Sequence, residues 1–380
     1  MEFIGTCFFY LFLMFILYTL CKNGQSKNKK EFIIIAYVLL FIVSAIRYDV
    51  GNDYDRYVDS INYIITHANM PGGSLLSAYE LSGTGELSFV LISWIVGLLF
   101  TAKVYYLVFA VYSFISVFFL YKAFDKFKCH SVGLLVYFLI EALFFTWDGI
   151  RQGAALSVVL YAFSFVYEKK FLKYCLLIGI ATFLHTSAVI MLPVYFLHYV
   201  TIDKRICVGL IIVVLIGFWT GIFADIVEQA SIIFSYMDND YSRYENADFA
   251  TLTTYDSLNW KIRVTIYALF WMTAITALDD EKNFYALLMT IGSIVFILAN
   301  GSLIFYRISL YFSIATAVAV PLAYNYKIKK KKLNHILLII MLLGMGLFFI
   351  YDSATGSYSR GCVPYKTVFS EDAQIMKFKN

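Results

Sequence analysis

Apolar runs long enough to enter or cross a bilayer follow one another along the whole chain, parted by short charged turns. The first, residues 3–21, leads into Lys22, Lys27, Lys29 and Lys30. Short basic loops stay on the cytoplasmic side, which places the N-terminus outside. The second run, 32–46, leads out again, and 47–86 becomes an external loop. Pro71-Gly72-Gly73 breaks that loop, and 59–67 is expected to form a short interfacial helix.

Residues 87–100 and 104–121 are the next two runs, and Lys122, Lys126 and Lys128 follow them. Two full crossings would put these lysines outside, against the charge rule. One of the two runs is therefore expected to be short, re-entrant or merged with the other. Run 132–147 goes out to Trp147-Asp148-Gly149-Ile150-Arg151-Gln152, and 153–167 returns to Glu168, Lys169, Lys170 and Lys173. Residues 172–200 suit a hairpin of two short helices with His185-Thr186-Ser187 near its outer apex. That hairpin ends inside at Asp203, Lys204 and Arg205.

Run 206–223 opens a second external loop, 224–261, which sets Asp225, Glu228, Asp238, Asp240, Glu245, Asp248 and Asp256 against Arg243 and Lys261. Runs 262–278, 284–299, 303–326 and 333–351 complete the series. The basic tract Lys327, Lys329, Lys330, Lys331, Lys332 marks the inside, and 352–380 is expected as an external tail. The expectation is an all-α polytopic membrane protein of about 12–13 spans at about 20 residues each. Residues 1–380 form one integral membrane domain in this reading.

Composition supports that class. The chain is 61% hydrophobic and 15% charged, with mean hydropathy +0.74, more apolar surface than a soluble fold of this length can bury. The runs lack the two-residue alternation of a membrane β-barrel. The first run has no basic residues ahead of it and no small-residue cleavage site, so it is expected to stay as a span. The six cysteines are scattered without metal-ligand spacing or a legible disulfide framework. No P-loop, Gly-rich dinucleotide turn or Gly-x-Ser-x-Gly elbow occurs. The internal lysine tract has no interleaved aromatics, so it points to anionic lipid and away from nucleic acid.

Lysines cluster on the predicted inner face, whereas Arg47, Arg56, Arg151, His185, Arg243 and Arg307 fall on or near the outer one. Topology explains the lysines; the outer arginines need another reason. Residues 46–57, IRYDVGNDYDRY, crowd two arginines, three aspartates and three tyrosines beside an apolar run. A guanidinium fork binds phosphate oxygens in pairs and keeps its charge, so such a stretch suits a sugar-phosphate site. The plain alternatives are that Arg47 snorkels to the headgroups and that Arg56 and Arg243 pair with nearby acids. His185 is either a satisfied core histidine or a proton acceptor. Asp53 and Asp55 could hold sugar hydroxyls, act as a base or, more weakly, bind a metal. Arg307 and Tyr311 share one helix face.

Four fragments taken together resemble the EpsG-like group of Wzy polysaccharide polymerases. They are Ile46-Arg47-Tyr48-Asp49-Val50-Gly51-Asn52-Asp53-Tyr54 with Tyr57, Ile150-Arg151-Gln152-Gly153-Ala154-Ala155, Phe183-Leu184-His185-Thr186-Ser187-Ala188 and Tyr306-Arg307-Ile308-Ser309-Leu310-Tyr311. Val363-Pro364-Tyr365 near the end adds to the likeness. The resemblance implies a bacterial inner-membrane glycosyltransferase of the GT-C type, working from the periplasmic face without a metal or other cofactor. It would polymerise O-antigen or capsule repeat units carried on undecaprenyl pyrophosphate, with lipids and a chain-length regulator protein as partners.

On that footing Arg47, Arg151 and Arg307 are expected to bind the pyrophosphate, with His185 or Asp53 as base. Tyr54, Tyr57, Asp55 and Tyr311 would hold sugars. The alternatives are a ligase-type or other lipid-linked glycosyltransferase, a non-enzymatic flippase for the same lipid, and, more weakly, a membrane O-acyltransferase.

Overall fold

The structure is a computed structural model, and it describes residues 2–82, 86–100, 104–223, 258–279, 283–299, 303–325, 332–355 and 360–370. The acidic loop with Arg243, most of the lysine tract and the last ten residues lie outside the described residues. The chain divides into two compact units, Met1–Val189 with Met345–Asn380, and Ile190–Gly344. Among the described residues helices make up nearly all regular structure, and the one β-bridge joins Arg47 to Thr367. Five described helices are long and apolar enough to cross a membrane, or six if one bent pair counts as a single span. This is the expected polytopic helical membrane protein. Long spans are fewer than apolar runs because several runs form shorter helices, among them Leu87–Leu99, Phe171–Leu184 and Asn283–Leu298.

In the first unit α1 (Glu2–Ser26) packs on α2 (Lys30–Ala45) and turns Tyr10, Leu13 and Leu17 inward. Phe8, Phe12 and Phe15 face outward, as lipid-facing positions should. Helix α3 (Tyr54–Ala68) follows the turn at 46–53 and buries Tyr54, Tyr57, Ile61, Ile64 and Ile65 on one stripe. It begins five residues before the predicted interfacial helix, with Asp55 in its first turn where the helix dipole favours an acid. A short helix, α4 (Leu75–Ser82), comes next.

The parity problem of the next two runs has a simple origin. Helix α5 (Leu87–Leu99) has 13 residues, about 20 Å of rise against a hydrocarbon core of about 30 Å. It lies against α3, where a Cβ on Gly97 would stand 3.0 Å from Ala68 Cβ and 3.1 Å from Ile65 Cα. Helix α6 (Tyr105–Phe127), with 23 residues, is the full-length member of the pair.

The outward run at 132–147 is broken. Helices α7 (His130–Leu139) and α8 (Ala142–Asp148) meet at 63°, with Glu141 in the left-handed region at φ 57°. Helix α9 (Ile150–Tyr167) is the central element, buried over nearly its whole length between α6, α8 and α10 (Phe171–Leu184). Its small residues make that closeness possible: a Cβ on Gly153 would stand 2.5 Å from Thr146 Cα. The α10 helix ends at His185, whose extended backbone breaks the run, and 3₁₀ turns follow at Thr186–Met191 and Pro193–Tyr199 in place of the expected second short helix.

The second unit contains α11 (Lys204–Thr220), α12 (Leu258–Ala277), α13 (Asn283–Leu298), α14 (Leu303–Ser313) and α15 (Thr316–Asn325). Helix α13 packs on α11, α12 and α14. A Cβ on Gly292 would come within 2.9 Å of the Ser313 backbone nitrogen. Helix α16 (Lys332–Thr355) begins in this unit, and its second half belongs to the first.

Candidate active site around Glu86

The turn at 46–53 is built to hold a fixed shape. Gly51 has φ 111°, and a Cβ there would stand 2.8 Å from the Trp147 carbonyl oxygen. Only glycine accepts both conditions. The Asp148 carboxylate accepts from Asn52 N at 2.9 Å and from Asp53 N at 3.4 Å, tying the turn to the end of α8. Trp147 Nε1 donates to Ser44 Oγ at 3.0 Å.

Residues 360–370 cross the same turn, although the sequence placed them in a tail. Tyr48 N donates to Lys366 O at 3.0 Å, Gly51 N to Gly361 O at 2.9 Å and Val368 N to Ile46 O at 2.8 Å. Tyr365 Oη donates to Val43 O at 2.7 Å. The segment is an integral wall of the first unit.

Arg47, next to this wall, is 1% exposed. Its Nη1 donates to the Ser44 carbonyl and, at 3.0 Å, to Ser113 Oγ on α6. Nε and Nη2 are buried without a hydrogen-bond partner among the described residues, and the guanidinium stands 5.0 Å from the centre of the Phe109 ring. Phe109 also stacks on Tyr54 at 4.9 Å and meets Tyr57 edge-on at 6.3 Å.

Across this aromatic layer lies Arg151, in the first turn of α9, with its guanidinium 5.7 Å from the Tyr57 ring centre and 5.5 Å from that of Phe89. Its Nη1 forms an ion pair at 3.0 Å with Oε2 of Glu86. His185 Nδ1 hydrogen-bonds the other oxygen, Oε1, of the same carboxylate. Glu86 itself is 3% exposed.

Burial by itself would raise the Glu86 carboxyl. The His185 ring, the Arg151 guanidinium and the Thr186 backbone N–H outweigh it and hold the group below the ordinary glutamate range. Around this centre Ser88 Oγ donates to Leu184 O at 3.3 Å and lies 3.5 Å from Tyr112 Oη. His185 Nε2 is buried and has no hydrogen-bond partner among the described residues.

Two residues that the sequence singled out far apart, Arg151 and His185, thus meet on a third that it did not. Tyr57 lies under Arg151, and Arg47 and Tyr54 stand on the Phe109 side of the same aromatic layer. Asp53 ends the turn ahead of α3 and pairs at 3.6 Å with Arg56, whose side chain is 70% exposed. Asp55 is exposed beside them. Arg307 is half-buried and Tyr311 fully buried, both on α14 of the second unit. Buried Arg263 on α12 is a further cation that the sequence reading passed over. Among the described residues no group of three or more His, Cys, Asp or Glu side chains gathers to hold a metal ion.

A buried carboxylate shared by an arginine and a histidine, in a bundle of apolar helices, defines a multi-pass membrane protein with a charged site inside its helical packing. The family assignment agrees in kind. The model of the EpsG family matches residues 30–367, nearly the whole chain, and the protein belongs to that family of Wzy-like polysaccharide polymerase-type proteins. No curated protein and no solved structure matches the chain.

Proposed function

We propose that this chain joins lipid-linked oligosaccharide repeat units into O-antigen or capsular polysaccharide at the periplasmic face of a bacterial inner membrane. The observation that carries the reading is the meeting of Arg151 and His185 on Glu86. A growing glycan on one undecaprenyl pyrophosphate is the donor, and a hydroxyl of a second lipid-linked repeat is the acceptor.

Breaking the donor C1–O bond leaves negative charge on the pyrophosphate, and a preplaced guanidinium stabilises that charge most as it develops. Arg151 has that role, joined by Arg47. His185 or Asp53 takes the acceptor proton, and Tyr54, Tyr57 and Asp55 hold sugars. The acidic centre fits this chemistry: Glu86 keeps Arg151 ordered before an anion arrives. The reading is of a GT-C-like enzyme, with a chain-length regulator protein as an expected partner.

The test is incubation of the purified protein with a defined undecaprenyl-pyrophosphate repeat unit, with and without chelator. A ladder of products separated by one repeat unit, unchanged by chelator, is expected. A single transfer to a different acceptor would make the chain a ligase-type enzyme. Transbilayer movement of the lipid with no new bond would make it a flippase.

A further inference from the structure

We propose that Glu86 is a positioning residue that makes His185, and not Asp53, the proton acceptor of the glycosyl transfer, by holding Nδ1 of the ring and leaving Nε2 for the acceptor hydroxyl. The inference rests on the function proposed above.

Three features of the site carry it. The first is the division of labour on the carboxylate. Glu86 is acceptor-only when ionised, and its two oxygens serve different partners, Oε1 to His185 Nδ1 and Oε2 to Arg151. A neutral imidazole that donates from Nδ1 carries its lone pair on Nε2, so the carboxylate selects the tautomer.

The second feature is Nε2 itself. His185 is 9% exposed, and this nitrogen is buried without a hydrogen-bond partner among the described residues. A buried acceptor nitrogen is ordinarily satisfied, so this atom is positioned for a group that comes with the substrate. The third is the contrast with Asp53, which is committed to an ion pair with exposed Arg56 at the solvent edge of α3.

The step then balances. The acceptor O–H gives its proton to Nε2 while its oxygen bonds to the donor C1. The C1–O bond breaks, and its electron pair leaves with the lipid pyrophosphate beside Arg151. Glu86 stabilises the imidazolium until the proton passes to water. Glu86 ahead of α5 faces His185 directly, and Arg151 on α9 and Tyr112 on α6 are the charged and titratable groups beside the same carboxylate.

The experiment is a pH–rate profile of ladder formation by the full-length purified protein on a lipid-pyrophosphate-linked repeat unit. It compares wild type with Glu86→Gln, Glu86→Asp, His185→Gln and Asp53→Asn, each first checked for wild-type melting. Glu86→Gln is expected to slow turnover roughly ten- to a thousand-fold and to move the acidic limb to lower pH, because the imidazolium loses its counter-charge. Glu86→Asp, which keeps that charge, recovers part of the rate and the wild-type limb. His185→Gln removes the limb, and Asp53→Asn leaves it in place.

If Glu86→Gln does not fold, the limb in Glu86→Asp, His185→Gln and Asp53→Asn still decides. An acidic limb that survives in His185→Gln, or one that vanishes in Asp53→Asn, overturns the assignment of the base while polymerisation by wild type stands. An absence of ladders from wild type at every pH overturns the glycosyl-transfer reading and this inference with it.

Discussion

Arg151 stands 3.0 Å from one oxygen of Glu86 while His185 occupies the other, so three pieces of chain distant in sequence depend on one buried carboxylate. That dependence has a pH signature. The folded protein holds Glu86 below its ordinary range although burial works the other way. An acid whose folded pKa is depressed contributes stability that is fully present above its unfolded pKa, about 4.3. This stability is lost as pH falls through the lower, folded value. Melting temperature of wild type is therefore expected to fall on acidification below about pH 4. Glu86→Gln, which carries no titrating group, should start lower at pH 7 and lose less on the way down. Parallel curves for the two proteins would contradict this.

Arg47 poses the opposite case, a charge buried with two nitrogens unpartnered among the described residues and only neutral neighbours in Ser44, Ser113 and Phe109. A desolvated cation so placed adds little to stability, and an apolar residue of similar volume is often neutral or better. Arg47→Met is expected to melt no lower than wild type and yet to lose most chain growth. Thermal melting in detergent and glycan length in cells are the paired readouts. A large loss of melting temperature would assign Arg47 to structure.

Gly51 tests the turn that places Arg47 and Asp53. Its φ of 111° and the 2.8 Å approach to the Trp147 carbonyl leave no space for a Cβ. Gly51→Ala should destabilise the first unit by at least about 2 kcal/mol and loosen the neighbouring wall at 360–370. Limited proteolysis within 360–370 would report the loosening. Unchanged protection and melting would show that the turn can shift at little cost.

Much of this architecture is legible in the sequence, for physical reasons. Membrane helices declare themselves by unbroken apolar runs, and the break at His185 shows in the length of the 172–200 run. The charge rule also pointed to one of the runs 87–100 and 104–121 being short, re-entrant or merged with the other, and α5 is a short helix. Arg47, Arg151 and His185 stood out as charges that topology does not explain. Glu86 did not, because it marked the end of a loop and a lone acid there reads as a solvated residue. Like Arg47 it borders an apolar run, but it lacks the crowd of charges and tyrosines that marks residues 46–57. The packing of 360–370 against the turn was not legible beyond the likeness of Val363-Pro364-Tyr365. Its main-chain hydrogen bonds leave no pattern in side-chain type, and its side-chain contacts, such as Tyr365 to Val43, reach partners distant in sequence. Tyr311, expected to hold a sugar from the helix face it shares with Arg307, is instead fully buried, and nothing in its spacing shows that.

The most direct test of the central claim is glycan chain length in cells whose only copy of this protein carries Arg151→Gln or Arg151→Lys, at matched membrane abundance. The lysine keeps a cation for Glu86 but not the guanidinium fork. Arg151→Gln is expected to leave single repeat units with no long glycan, and Arg151→Lys to shorten chains with a rate roughly ten- to a hundred-fold below wild type. Long glycan of wild-type distribution from both variants would contradict the account.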